Sequence, residues 1–106
     1  MAGLAHALRA ENSVRIQVGV FVVVIAVMSW LRPEPVWWGL VLLASSGVLT
    51  AELLNTAVEH LADHLHPEMH PSIRTVKDCA AAAVLVAVLG AITVGIALAA
   101  HLLLRK

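Results

Sequence analysis

The chain has 106 residues, of which 60% are hydrophobic and only 13% charged, a composition unlike that of an ordinary soluble domain. Seven basic residues balance seven acidic ones, so there is no basic footprint for a nucleic-acid partner. Cys79 is the single cysteine, which allows neither an intrachain disulfide nor a Cys-based metal site. The first residues lack the basic-then-apolar pattern of a cleavable signal peptide. The expected class is therefore one all-α membrane domain over residues 1–106, inserted by its own helices.

Residues 1–13 read M-A-G-L-A-H-A-L-R-A-E-N-S. Leu4, Leu8 and the alanines can coat one face of a short interfacial amphipathic helix, about 2–13, with His6, Arg9 and Glu11 elsewhere on it. A first transmembrane helix is expected over 14–31, since no charge occurs from Val18 to Leu31. Its Val20–Val24 run would favour a strand in water. In lipid an isolated strand leaves its backbone unpaired, so a helix is expected. Arg15 and Gln17 mark its polar end and Trp30 the far interface.

Arg32-Pro33-Glu34-Pro35 breaks the chain, because two prolines one residue apart do not fit inside a helix. Pro35 suits the first turn of the next one, and Trp37 and Trp38 return to the interface that Trp30 marks. The second transmembrane helix is expected over 36–63. The stretch 64–72, H-L-H-P-E-M-H-P-S, reads as a loop, with Ser72 as the N-cap of a third helix over 73–104. Ala80–Ala83, Ala87, Gly90, Ala91 and Gly95 give this helix a small-residue surface suited to close helix packing.

The second half of the second helix carries Glu52, Asn55, Glu59 and Asp63. Residues seven and eleven apart return to within roughly 20° of one helix face, so the three acids form one stripe with Asn55 beside it. A carboxylate in a bilayer costs at least about 3 kcal/mol unless it meets a cation, a cavity or a proton. A shared divalent metal or a proton transfer would account for three. Folding the three spans puts Glu11, Glu52, Glu59, Asp63, Glu68 and Asp78 near one surface, with Arg9, Arg15, Arg74 and Lys77. Arg32, Glu34, His101, Arg105 and Lys106 fall near the other. The positive-inside rule favours the first surface as cytoplasmic.

E-L-L-N-T-A-V-E-H-L-A-D (52–63), P-E-M-H-P (67–71), K-D-C-A-A-A-A-V-L (77–85) and E-N-S-V-R-I-Q (11–17) together resemble the small prokaryotic diacylglycerol kinase and undecaprenol kinase family. That family's pattern runs E-x-x-N-S/T-A-I/V-E-x-x-x-D, a histidine-bearing loop, then K-D and a small-residue run. The resemblance implies a homotrimer in the bacterial inner (cytoplasmic) membrane, with active sites at the cytoplasmic surface. It implies transfer of the ATP γ-phosphate to a membrane lipid alcohol with Mg2+. No Gly-rich phosphate loop is present, so carboxylates on membrane helices would take its place.

Residue by residue, the resemblance makes Glu52 the catalytic base; its bland rival is a protonated structural acid bonded to a neighbouring helix. It makes Glu11 and Glu59 the metal acids, in keeping with the one or two carboxylates that Mg2+ asks for beside phosphate oxygens. Standing alone, Glu11 would read as a solvated or capping acid. Glu11, Glu59, Glu68, Met69, His70, Lys77 and Asp78 form the implied nucleotide site. Lys77 would contact phosphate and Asp78 would orient it, the rival being a lysine that snorkels to water. Asn55 and Asp63 are structural, and Ser13, Arg15, Gln17 and Trp30 are the candidate lipid contacts. His64, His66 and His70 also raise a metal cluster, although His64 and His66 lie outside the family pattern. Only ten residues precede Glu11, fewer than in the familiar members, and Gln17 stands where many carry an ionisable group.

The expected activity is diacylglycerol to phosphatidic acid. The loop H-P-S-I-R-T-V-K-D makes undecaprenol the alternative acceptor. A proton- or cation-coupled transport subunit is the rival of another class, because membrane carboxylates also mark ion paths. Such a path would need polar groups through both halves of the membrane, and helices one and three offer almost none in the outer half.

Overall fold

The computed structural model describes residues 2–5, 12–66, 68 and 70–105. Residues 2–5 are helical; residues 6–11 of the expected interfacial helix lie outside the described residues. Three long helices follow: α1 (Asn12–Leu31), α2 (Pro35–Leu65) and α3 (Pro71–Leu104). All three are long and apolar enough to cross a membrane. The valine-rich run of α1 is helical throughout, as the bilayer argument requires.

The turn between α1 and α2 is set by local chemistry. Arg32 adopts φ 52°, the left-handed region, and its N–H donates to Met28 O at 2.9 Å, the single-bond form of a left-handed helix stop. Pro33 is buried, and Pro35 takes the first helical position of α2 with Glu34 extended before it. A β-branched residue resists positive φ far more than Gly or Asn does. Arg32→Val should therefore cost about 1–3 kcal/mol and Arg32→Asn much less, read as thermal midpoints of the protein in detergent.

This end of the molecule is where all three helices meet. Met28 of α1, Val41 of α2 and Leu98 of α3 form the buried cluster, with Val24, Trp37, Trp38, Val94 and Leu102 packed against it. Beside it, His101 Nε2 lies 3.3 Å from Glu34 Oε1, and its ring is 5.3 Å from that of Trp37. Glu34 and His101, assigned to one surface from sequence, thus tie the α1–α2 turn to the last turn of α3.

α2 packs mainly against α3 and less against α1, and the backbone of α1 stands off from that of α3. The separation leaves an apolar groove of about 340 Å³, lined among others by Gln17, Val24, Met28, Ser45, Val48 and Gly95. The glycines on the small-residue surface of α3 face open space within the protomer. A methyl group added at Gly90 or Gly95 would meet no atom within 4 Å, so close packing within the protomer does not demand glycine there.

The loop between α2 and α3 is shorter than expected. α2 runs on through His64 to Leu65. His66, at φ −149° and ψ 79°, ends it, because the residue before Pro67 is driven out of the helical region. Pro71, expected within the loop, instead opens α3. The N-cap is accordingly His70 and not Ser72, since a proline at the first helical position makes its predecessor the cap.

Candidate functional site at the polar end of α2 and α3

The second half of α2 presents its acids in graded exposure. Glu52 and Asn55 are half-buried, while Glu59 and Asp63 are exposed. Seven residues at 1.5 Å rise set Glu52 and Glu59 about 10 Å apart along the axis. Asn55 stands between them and gives each of its amide atoms a different environment. Its Nδ2 donates to Glu59 Oε1 at 3.5 Å, a long contact. Its Oδ1 is buried and has no hydrogen-bond partner among the described residues. Asn55 lines a second hollow of about 460 Å³, together with Ser46, Gly47, Thr50, Ala80 and Ala83. An unpartnered carbonyl oxygen in such a place costs about 1–3 kcal/mol, so the site offers an acceptor to any donor that enters.

At the end of the stripe Lys77 Nζ approaches Asp63 Oδ1 to 2.6 Å, joining the last turns of α2 to the second turn of α3. The expected tie of Lys77 to Asp78 is thereby corrected. Consecutive helical residues point about 100° apart and do not face each other, whereas Asp63 faces Lys77 from the neighbouring helix. Asp78 is exposed. The lysine is the more covered partner of the pair, at 28% exposure against 62% for Asp63, so its ammonium is held in place and still reachable.

In the loop, Glu68 and His70 are exposed. His66 and His70 face each other with ring centres 5.4 Å apart. His66 Nδ1 lies 3.2 Å from Glu68 O, and His70 Nδ1 accepts from the Ser72 N–H at 3.1 Å. No group of three His, Cys, Asp or Glu side chains suited to a metal comes together among the described residues, so His64, His66 and His70 do not assemble as a cluster. Glu11 and Met69 lie outside the described residues, as does the side chain of Ser13.

Of the candidate lipid contacts, Gln17 lines the apolar groove and Arg15 donates to Asn12 Oδ1. Trp30, 80% exposed, stands outside it. Sequence reasoning missed two contacts here, the Asp63–Lys77 pair and the His70 cap. The second was readable from Pro71; the first needed the pitch of α2 against α3.

Three long apolar helices, with acids and a lysine gathered at one end of two of them, mark a multi-pass membrane protein. The sequence pattern of the prokaryotic diacylglycerol kinases matches residues 1–99, and the chain belongs to that family. It is also 36% identical over 95 residues to a protein from Synechocystis sp. named diacylglycerol kinase. Those residues are 89% of this chain and 54% of the relative, so the chain spans about half the length of the curated relative it matches.

Proposed function

We propose that this protein is a lipid kinase that transfers the γ-phosphate of ATP to the hydroxyl of diacylglycerol at the cytoplasmic face of the bacterial inner membrane. The observation that carries this reading is the arrangement of one half-buried acid, one exposed acid and one tethered lysine along the polar end of α2 and α3. In this reading a lipid alcohol reaches Glu52 from the bilayer, and Glu52 takes its proton. Lys77, held by Asp63, offers its ammonium to phosphate oxygens. Phosphoryl transfer asks a protein mainly for such positioning and charge stabilisation.

Mg2+ fits the donors present. Glu59 is exposed and its contact with Asn55 is long, leaving carboxylate oxygens for a hard cation that binds through one or two carboxylates and phosphate. Glu59, with Glu11 as the second acid, would hold it, and when bound it would neutralise charge on the phosphates. Glu68, Met69, His70 and Asp78 complete the proposed nucleotide site. Asn55 stands between the two acids of α2 as a hydrogen-bonding group. The homotrimer belongs to the proposal too: the unfilled space at Gly47, Gly90 and Gly95 leaves room on α2 and α3 for close approach by other copies.

Undecaprenol is the second acceptor to consider, favoured by the H-P-S-I-R-T-V-K-D loop. Purified protein in mixed micelles, given MgATP with diacylglycerol or undecaprenol in parallel, separates the two. Faster phosphorylation of diacylglycerol is expected; faster phosphorylation of undecaprenol would overturn the substrate assignment.

A further inference from the structure

The N-terminus of α3 is closed by an imidazole, and that closure is conditional on charge. The Ser72 backbone N–H donates to His70 Nδ1. An amide N–H can only donate, so Nδ1 carries a lone pair, the ring is neutral and its proton is on Nε2. The backbone of His70 is extended, at φ −126° and ψ 145°, and Pro71 follows at the first helical position, the geometry of an N-cap. The neighbouring ring uses the same atom the other way: His66 Nδ1 faces the Glu68 carbonyl oxygen, which can only accept, so a bond there needs a proton on Nδ1.

Protonating His70 would remove the acceptor that the Ser72 N–H needs. It would also place a cation at the positive end of the helix dipole, 5.4 Å from the ring of His66. The charged or titratable side chains nearest to His70 in the chain are His64 at the end of α2, His66 and Glu68 in the loop, and Arg74, Lys77 and Asp78 at the start of α3, with Asp63 across from Lys77. Asp63 already pairs with Lys77. Glu68 is exposed, where attraction between charges is weak.

We propose that His70 is a positioning residue. Neutral, it fixes the first turn of α3 and through it Lys77 in the second turn; on acidification the cap is lost and Lys77 loosens. The consequence for activity rests on the kinase reading of Lys77, whereas the cap itself does not. Any contact that His70 makes with a nucleotide then runs through Nε2–H, as a donor to an acceptor atom.

The test compares wild type, His70→Asn and His70→Ala, each the full chain in detergent micelles, between pH 8 and 5.5. Asn caps a helix without titrating. Amide hydrogen exchange at residues 72–74, corrected for intrinsic rates, should show protection falling about fivefold in wild type on acidification, the population change of a typical lost cap. It should stay level in His70→Asn and be low throughout in His70→Ala. Kinase activity, scaled to each variant's own value at pH 8, should fall more steeply in wild type than in His70→Asn, through a rise in the apparent KM for MgATP. The same pH dependence of protection in wild type and His70→Asn would overturn the cap. Level protection in His70→Asn with an unchanged activity profile would overturn its link to Lys77.

Discussion

Glu52→Gln should lower kcat by about 10²–10⁴-fold, the usual contribution of a general base, while the apparent KM for MgATP stays within about threefold by the same division of roles. The substitution keeps the size of the side chain and its capacity for hydrogen bonds, but an amide does not take the proton of a lipid alcohol. The place of Glu52 makes the effect specific. It is half-buried and about two turns from the exposed Glu59 along α2, the position at which the proposed reaction needs its base. Asn55, three residues on, offers a buried and unpartnered Oδ1 on the same stretch of helix. Steady-state kinetics with diacylglycerol in mixed micelles gives both constants. Near-normal kcat would remove Glu52 as the base and leave it a structural acid.

Glu59→Gln should have the second large effect, expressed in metal dependence. A direct carboxylate ligand is worth at least as much as the outer-shell groups whose loss costs about 10–100-fold in metal affinity. The Mg2+ concentration for half-maximal activity should rise by at least that factor, with insertion and assembly intact. The contact that Glu59 receives from Asn55, at 3.5 Å, is too long to make this acid a structural necessity. The expected fold is therefore unchanged and the loss is chemical. A titration of activity against Mg2+ that superimposes on wild type would remove Glu59 from the metal site.

Much of this architecture is legible in the sequence because the bilayer removes alternatives. Val20–Val24 would be ambiguous in water, yet in lipid its only self-satisfied backbone is a helix, and α1 is helical there. The stripe from Glu52 to Asp63 follows from helical pitch alone. What escapes sequence reading depends on how one helix lies against another. Lys77 is adjacent to Asp78 in the chain, but its ion pair is with Asp63, fourteen positions away and on α2. Glu34 meets His101 across 67 positions for the same reason. The cap of α3 is an intermediate case: Ser72 has the better capping side chain by type, but Pro71 moves the start of the helix one residue ahead of it. The glycines of α3 teach the converse. Their spacing suggests tight contacts, yet each has open space beside it within the protomer.

These contacts also divide the labour between the two ends of the molecule. The tryptophan end is packed, with Met28, Val41 and Leu98 buried together and the α1–α2 turn tied to α3 by Glu34 and His101. The acidic end keeps polar groups half-covered or exposed, which suits them to meet phosphate and metal. Substitutions in the Met28 cluster are therefore expected to act on stability, and substitutions of Glu52, Glu59 and Lys77 on activity.

The most direct measurement is the fate of labelled γ-phosphate. Purified protein in mixed micelles with diacylglycerol, Mg2+ and γ-labelled ATP should carry label into the lipid extract as phosphatidic acid. That transfer should depend on Mg2+ and be reduced at least about 10²-fold in Glu52→Gln. Label that appears only as inorganic phosphate, or remains in ATP with either lipid alcohol present, would contradict the account.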